Sequence, residues 1–112
     1  ALTIAAREAL KRTDIKRVAN RLAEVIHTTD SLFVLRCAAE ELGRLNPGDE
    51  SAIAALEQLI QYPQSFRNRF KAVTSLIAID PQNPVITSTL IEIANADLDL
   101  ADSRAYAIFR DV

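Results

Sequence analysis

Methionine and tryptophan are absent from this chain of 112 residues, cysteine and histidine occur once each, and there are only two glycines and four prolines. The single thiol, Cys37, cannot form an internal disulfide, and with His27 as the only histidine no Cys/His set at metal-ligand spacing can be assembled. A lone thiol fits a reducing, cytoplasmic setting. Two glycines cannot build a phosphate-cradling loop, and no HExxH, CxxC or calcium-loop spacing occurs. No apolar run approaches the roughly 18 residues that span a bilayer, and no basic leader precedes an apolar stretch, so neither insertion nor secretion is expected. A chain that opens at Ala1 and holds no Met is expected to be a segment of a longer protein.

What is abundant is Ala, Leu and Ile, within a composition that is 49% hydrophobic. These side chains lose little freedom in a helix, and the scarcity of Gly and Pro leaves helices uninterrupted, so an all-α fold is expected. The length suits one core or one continuous stack. The net charge of −2 does not by itself point to nucleic acid or membrane. Its distribution is uneven. Residues 1–29 carry Arg7, Lys11, Arg12, Lys16, Arg17 and Arg21 against Glu8, Asp14 and Glu24, whereas residues 30–62 carry only Arg36 and Arg44 against six acids.

An internal repeat organises the chain. The segment from Leu35 to Leu56 lies over that from Arg69 to Leu90 at an offset of 34, pairing Ala38 with Ala72, Ala39 with Val73, Leu42 with Leu76, Leu45 with Ile79 and Pro47 with Pro81. These positions follow one helical face, so the repeat preserves a buried stripe. The second half of the unit recurs three times, in columns Leu22–Leu56–Leu90, Val25–Leu59–Ile93 and Ile26–Ile60–Ala94. Ala5 and Ala6 match Ala38 and Ala39 only after a one-residue gap, and Arg12 stands where Leu45 should be, so the first copy is degenerate.

The breaks carry their own chemistry. In Asn46-Pro47-Gly48-Asp49 and Asp80-Pro81-Gln82-Asn83 the proline forces the preceding residue out of helical geometry. Asp49 and Asn83 can then cap the following helix, and Pro84 suits a first helical position. Thr29-Asp30-Ser31 and Pro63-Gln64-Ser65 offer caps between units. Helices are expected at 3–12, 14–27, 31–45, 50–61, 65–79, 84–95 and 101–111, in units of approximately 1–28, 29–62, 63–96 and a partial 97–112. Ile77 in place of Gly43 and Gln82 in place of Gly48 predict a looser helix end and a different turn in the second copy.

A unit of this length could be a tetratricopeptide pair, but the Trp, Gly and Tyr positions of that pattern are missing. The stretch CAAEELGRLNPGDESAIAALEQLI closely resembles instead the "AAexLGkI(D/N)PGn…AIxALxxLI" unit of HEAT repeats in cyanobacterial multidomain proteins, especially the C-terminal arrays of NACHT-type signalling ATPases. The resemblance is strong over Arg36 to Ile60, fair over Phe70 to Ala94 and weak at both ends. It implies a right-handed α-solenoid of about three to three and a half repeats and a non-catalytic, protein-binding or regulatory scaffold whose partner is another protein or a neighbouring domain of the same chain. More distant similarity to the repeats of phycobilisome lyases keeps a bilin-associated scaffold as an alternative. The basic N-terminal helices keep nucleic-acid binding as another, against which stands the lack of interleaved aromatics.

In such a solenoid the second helices line a concave surface. With Leu22, Leu56 and Leu90 turned inward, the candidate partner-binding face is Arg17, Asn20, Arg21 and Glu24, then Ala54, Gln58 and Gln61, then Ser88, Glu92 and Asn95. His27 falls at the repeat position of Gln61 and Asn95, which makes it part of a polar ladder rather than a general base. Cys37 lies beside small stripe residues, where a thiol acts as a small hydrophobe. Asp97, Asp99 and Asp102 lack the Gly and distal Glu of a calcium loop and suit helix capping. No catalytic, cofactor or metal residue is assigned.

Overall fold

In a computed structural model, which describes residues 3–96, every regular element is an α-helix. Four are α1 (Ile4–Thr28), α2 (Leu32–Leu45), α3 (Glu50–Gln61) and α4 (Phe66–Ile79), and a fifth, α5, occupies 84–96. The expected helix at 101–111, and the acidic run from Asp97, lie outside the described residues.

The caps are those the residue types require. Ser31, Asp49 and Ser65 accept hydrogen bonds from the backbone N–H groups of Val34, Ala52 and Asn68, and Thr3 does the same for Ala6 at the head of α1. Asn83 accepts from the Val85 N–H at 2.9 Å. Ahead of each proline the chain leaves helical geometry, at Asn46 (φ −132°, ψ 81°) and Asp80 (φ −149°, ψ 70°). The two turns differ as expected. Gly48 sits at φ +84°, the left-handed third position of a type II turn, whereas no other described residue than glycine has positive φ, so Gln82 takes a turn without it. Both still close alike, with the Asp49 N–H donating to Asn46 at 3.0 Å and the Asn83 N–H to Asp80 at 3.1 Å.

One boundary differs from expectation. Residues 3–12 and 14–27 are not two helices but a single one, α1, running unbroken through Thr13 and Asp14. Nothing there stops a helix: no Pro or Gly intervenes, and the Thr13 hydroxyl donates back to the Ala9 carbonyl at 3.0 Å instead of capping a second helix. At about 1.5 Å per residue α1 is roughly twice as long as α3. Its N-terminal half therefore overhangs the stack, with Ile4, Leu10 and Ile15 exposed.

Consecutive helices pack on one another, and so do those two apart: α1 lies on α2 and α3, α2 on α3 and α4, and α3 on α4. The core runs between them as one cluster of Ala39, Ala55, Leu56, Leu59, Ile60, Ala72, Val73, Leu76 and Ile86, with Ile26, Leu35, Ile79 and Leu90 packed against it. The repeat columns follow this stack. Leu56 is fully buried at the centre, while Leu22 and Leu90, each nearer an end, are half-buried. In the second column Leu59 and Ile93 are buried and Val25 is half-buried. The third column fails at Ala94, which is exposed: the small side chain leaves α5 nothing to insert where α3 places Ile60.

Candidate functional site

The second helices α1, α3 and α5 carry the ten residues of the candidate face, and all ten are exposed: Arg17, Asn20, Arg21, Glu24, Ala54, Gln58, Gln61, Ser88, Glu92 and Asn95. On α3, Ala54, Gln58 and Gln61 stand at i, i+4 and i+7, which puts them on one side while Ala52, Ala55, Leu56, Leu59 and Ile60 are buried on the other. Between α1 and α3 this side is indented. The groove is walled by Ile26 and His27 of α1 and by Glu50, Ser51, Ala54, Ala55 and Gln58 of α3, with Leu35 beneath, and it encloses about 320 Å³. Its floor is apolar and its rim offers an imidazole, a hydroxyl, an amide and a carboxylate. His27, Gln61 and Asn95 are all exposed, as a polar ladder requires.

Two members of the face already have partners. Arg21 donates to the Glu24 carboxylate at 2.9 Å, an exposed pair one helical turn apart. Glu92 receives both terminal nitrogens of Arg69, each at 3.0 Å, and the Arg69 Nε donates to the Ile60 carbonyl at 2.8 Å. Arg69, little exposed and with the Phe66 ring 5.9 Å from its guanidinium, thus clamps the C-terminal end of α3 to α5. The hydrogen bonds and charge of Arg69 hold the Glu92 carboxyl below its ordinary value of 4.5. Sequence reasoning missed Arg69, because its repeat counterpart is Leu35 and no pattern marked the position.

A second depression of about 110 Å³ lies on the opposite side, between the first helices α2 and α4, lined by Leu32, Phe33, Arg36, Leu59, Gln64, Asn68, Lys71 and Ala72. Arg36 is committed within it: its guanidinium lies 5.5 Å from the Phe33 ring and donates to the buried Ser75 hydroxyl.

The basic residues of α1 fall into two groups, four of them sharing one side of the helix. At 100° per residue Arg7, Lys11, Arg17 and Arg21 lie within an arc of about 120°, with Arg12 and Lys16 on the opposite side, and two of the four are paired, Lys11 3.6 Å from Glu8 and Arg21 2.9 Å from Glu24. Cys37 is half-buried and free. Among the described residues no cluster of three His, Cys, Asp or Glu side chains could hold a metal ion, and no helix is long and apolar enough to cross a membrane. Comparison of the chain with protein-family models, curated proteins and solved structures finds no match.

Proposed function

We propose that this chain is a HEAT-like, right-handed α-solenoid segment that binds a protein partner, or a neighbouring domain of its own chain, through the face of its second helices. The observation that carries the reading is the groove between α1 and α3. Repetition of the unit stacks like helices side by side, and the seam between two of them is indented where the facing residues are as small as Ala54 and Ser51. Its apolar floor with a polar rim is the composition of a protein-binding surface. The same face then continues past α3 to Ser88 and Asn95, so an extended partner could engage successive units at once. A signalling NTPase with such an array as its sensor is the parent protein that the sequence resemblance suggests.

The test is site-specific photo-crosslinking. A photoreactive residue at Gln58 should capture the partner, and the same residue at Glu41, on the first-helix side, should not. For the captured partner, the triple variant Arg17→Glu, Gln58→Lys, Asn95→Lys should lose affinity by at least tenfold with helicity retained. These positions avoid the Arg69–Glu92 clamp, so the loss cannot be ascribed to unfolding. Equal capture from both sides, or unchanged affinity, would sink the reading.

A further inference from the structure

The depression between α2 and α4 gathers positive charge that nothing in the described fold answers. Arg36 lines it from α2 and Lys71 from α4, and the ion pairs among the described residues include neither of them. Glu40, one turn beyond Arg36 on α2, lies 3.5 Å from Arg44 instead. The first turns of α2 and α4 hold no acid, and α4 holds none along its whole length against Arg67, Arg69 and Lys71. Cations crowded near the head of a helix oppose its dipole, so an anion beside them is favoured by the charges and by the helix ends together. The carbonyls at the end of α3 that would repel it are already occupied: the Gln64 amide donates to Leu59, and the Arg69 Nε to Ile60.

Arg69 shows what an arginine so placed does in this fold. Phe66 and Arg69, three residues apart at the start of α4, set a guanidinium 5.9 Å from a ring, and its two terminal nitrogens grip the Glu92 carboxylate at 3.0 Å each. Phe33 and Arg36 repeat that spacing at the start of α2, with the guanidinium 5.5 Å from the ring. Here one terminal nitrogen reaches the Ser75 Oγ at 3.4 Å, and no carboxylate of a described residue meets the fork. Held by a ring and a hydroxyl, half-buried Arg36 keeps its other N–H groups for something else. The Asn68 side-chain amide and the Lys71 ammonium line the same space from α4. Its 110 Å³ holds on the order of four waters, the bulk of one oxyanion with an atom or two of its stem and far less than a nucleoside.

We propose that this cleft binds a phosphate group, as the free ion or as the end of a small phosphomonoester. Arg36 donates from its fork, Lys71 supplies the second charge and Asn68 a further donor, while Leu32, Leu59 and Ala72 give an apolar lining to the first carbon of an ester. Two cations match a dianion, whereas a carboxylate answers only one. The bound group ties α2 to α4, the first helices of successive units, and so stabilises the stack at that joint.

The test is a titration followed by ¹⁵N NMR of backbone amides and arginine Nε–H groups, at constant ionic strength and a pH well above the second phosphate pKa of about 6. Inorganic phosphate and methyl phosphate should each give saturable shifts centred on Phe33, Arg36, Asn68 and Lys71, and acetate should bind about tenfold more weakly or worse. Tighter binding of methyl phosphate assigns the site to phosphomonoesters, and tighter binding of inorganic phosphate assigns it to the free ion. Arg36→Gln should weaken phosphate binding by about tenfold or more, and Lys71→Gln, on an exposed site that leaves the fold intact, by about threefold or more. Lys16→Gln on α1 should change nothing. Shifts that rise without saturating or spread over every exposed cation, acetate binding as tightly as phosphate, or equal effects of Lys16→Gln and Lys71→Gln would each overturn the assignment. The groove between α1 and α3 takes no part in it, so failure here leaves the proposed partner face untouched.

Discussion

Gly43 shows how little a residue's type says without its neighbour. Near the end of α2 it reads as a helix-terminating glycine, yet it is helical and buried, and a Cβ built on it would meet the Ile79 side chain at 2.6 to 2.7 Å, including that residue's own Cβ. β-branched Ile79 has no free rotamer to retreat into. Gly43→Ala should therefore destabilise by about 1–3 kcal/mol of overpacking, outweighing most or all of the roughly 1 kcal/mol of helix propensity that alanine adds. A denaturant midpoint that rises in this variant would show that α2 and α4 are not so close. Arg69 is the second residue whose weight is tertiary. Arg69→Ala should lose about 1–3 kcal/mol from the Ile60 hydrogen bond alone. Because Glu92 has its carboxyl held below 4.5 in the fold, its contribution is present at neutral pH and is lost as pH falls through the lowered value. The difference in melting temperature between the unaltered chain and Glu92→Gln should thus shrink as pH drops below 4.5. A difference that grows toward acid would contradict the clamp.

At the scale of the helix, burial follows the repeat stripe with little regard to local hydrophobicity. On α3, Leu56 is fully buried while Gln58, two positions on, is exposed. Leu56→Asp removes a large side chain from the centre of the cluster and leaves a carboxylate there without a partner, a loss of about 3–5 kcal/mol or more. Gln58→Asp should stay within about 0.5 kcal/mol. Thermal melts that move equally for the two would mean that the Leu22–Leu56–Leu90 column is misassigned. The helices whose ends carry a proline turn or a serine cap were legible in the sequence, to within a residue or so. The unbroken run of α1 through residue 13 was not, since Thr13 is equally able to cap a helix and to bond back into one, and the choice between them depends on whether a first helix has somewhere to pack.

For the whole molecule, the reading that the 34-residue period is the structural unit can be tested by deletion. Removing residues 46–79 takes out one turn, α3, the following loop and α4, and joins Leu45 to Asp80-Pro81, so that α2 runs into the second turn in the same order of helix, polar residue and proline. Leu22 and Leu90 would then be successive members of the shortened column. A shorter helical protein should result, still melting cooperatively but at lower temperature because one interface is gone. Removing 46–61 instead fuses α2 to the loop and α4, two first helices with no second helix between them, and exposes both stripes. That variant should aggregate or melt without a transition. If circular dichroism shows the two deletions behaving alike, the 34-residue period is not the unit.

The sequence by itself determined the helical class, the period, both proline turns, the caps and the side of each second helix that stays in water. All of these are set by interactions within a few residues or by which face of a helix is apolar. Tertiary structure alone decided the rest: the unbroken course of α1, the contact that makes Gly43 necessary, and the reach of Arg69 from Ile60 to Glu92. Each depends on what a second element places within a few ångströms, and residues far apart in the chain carry no local mark of that neighbour.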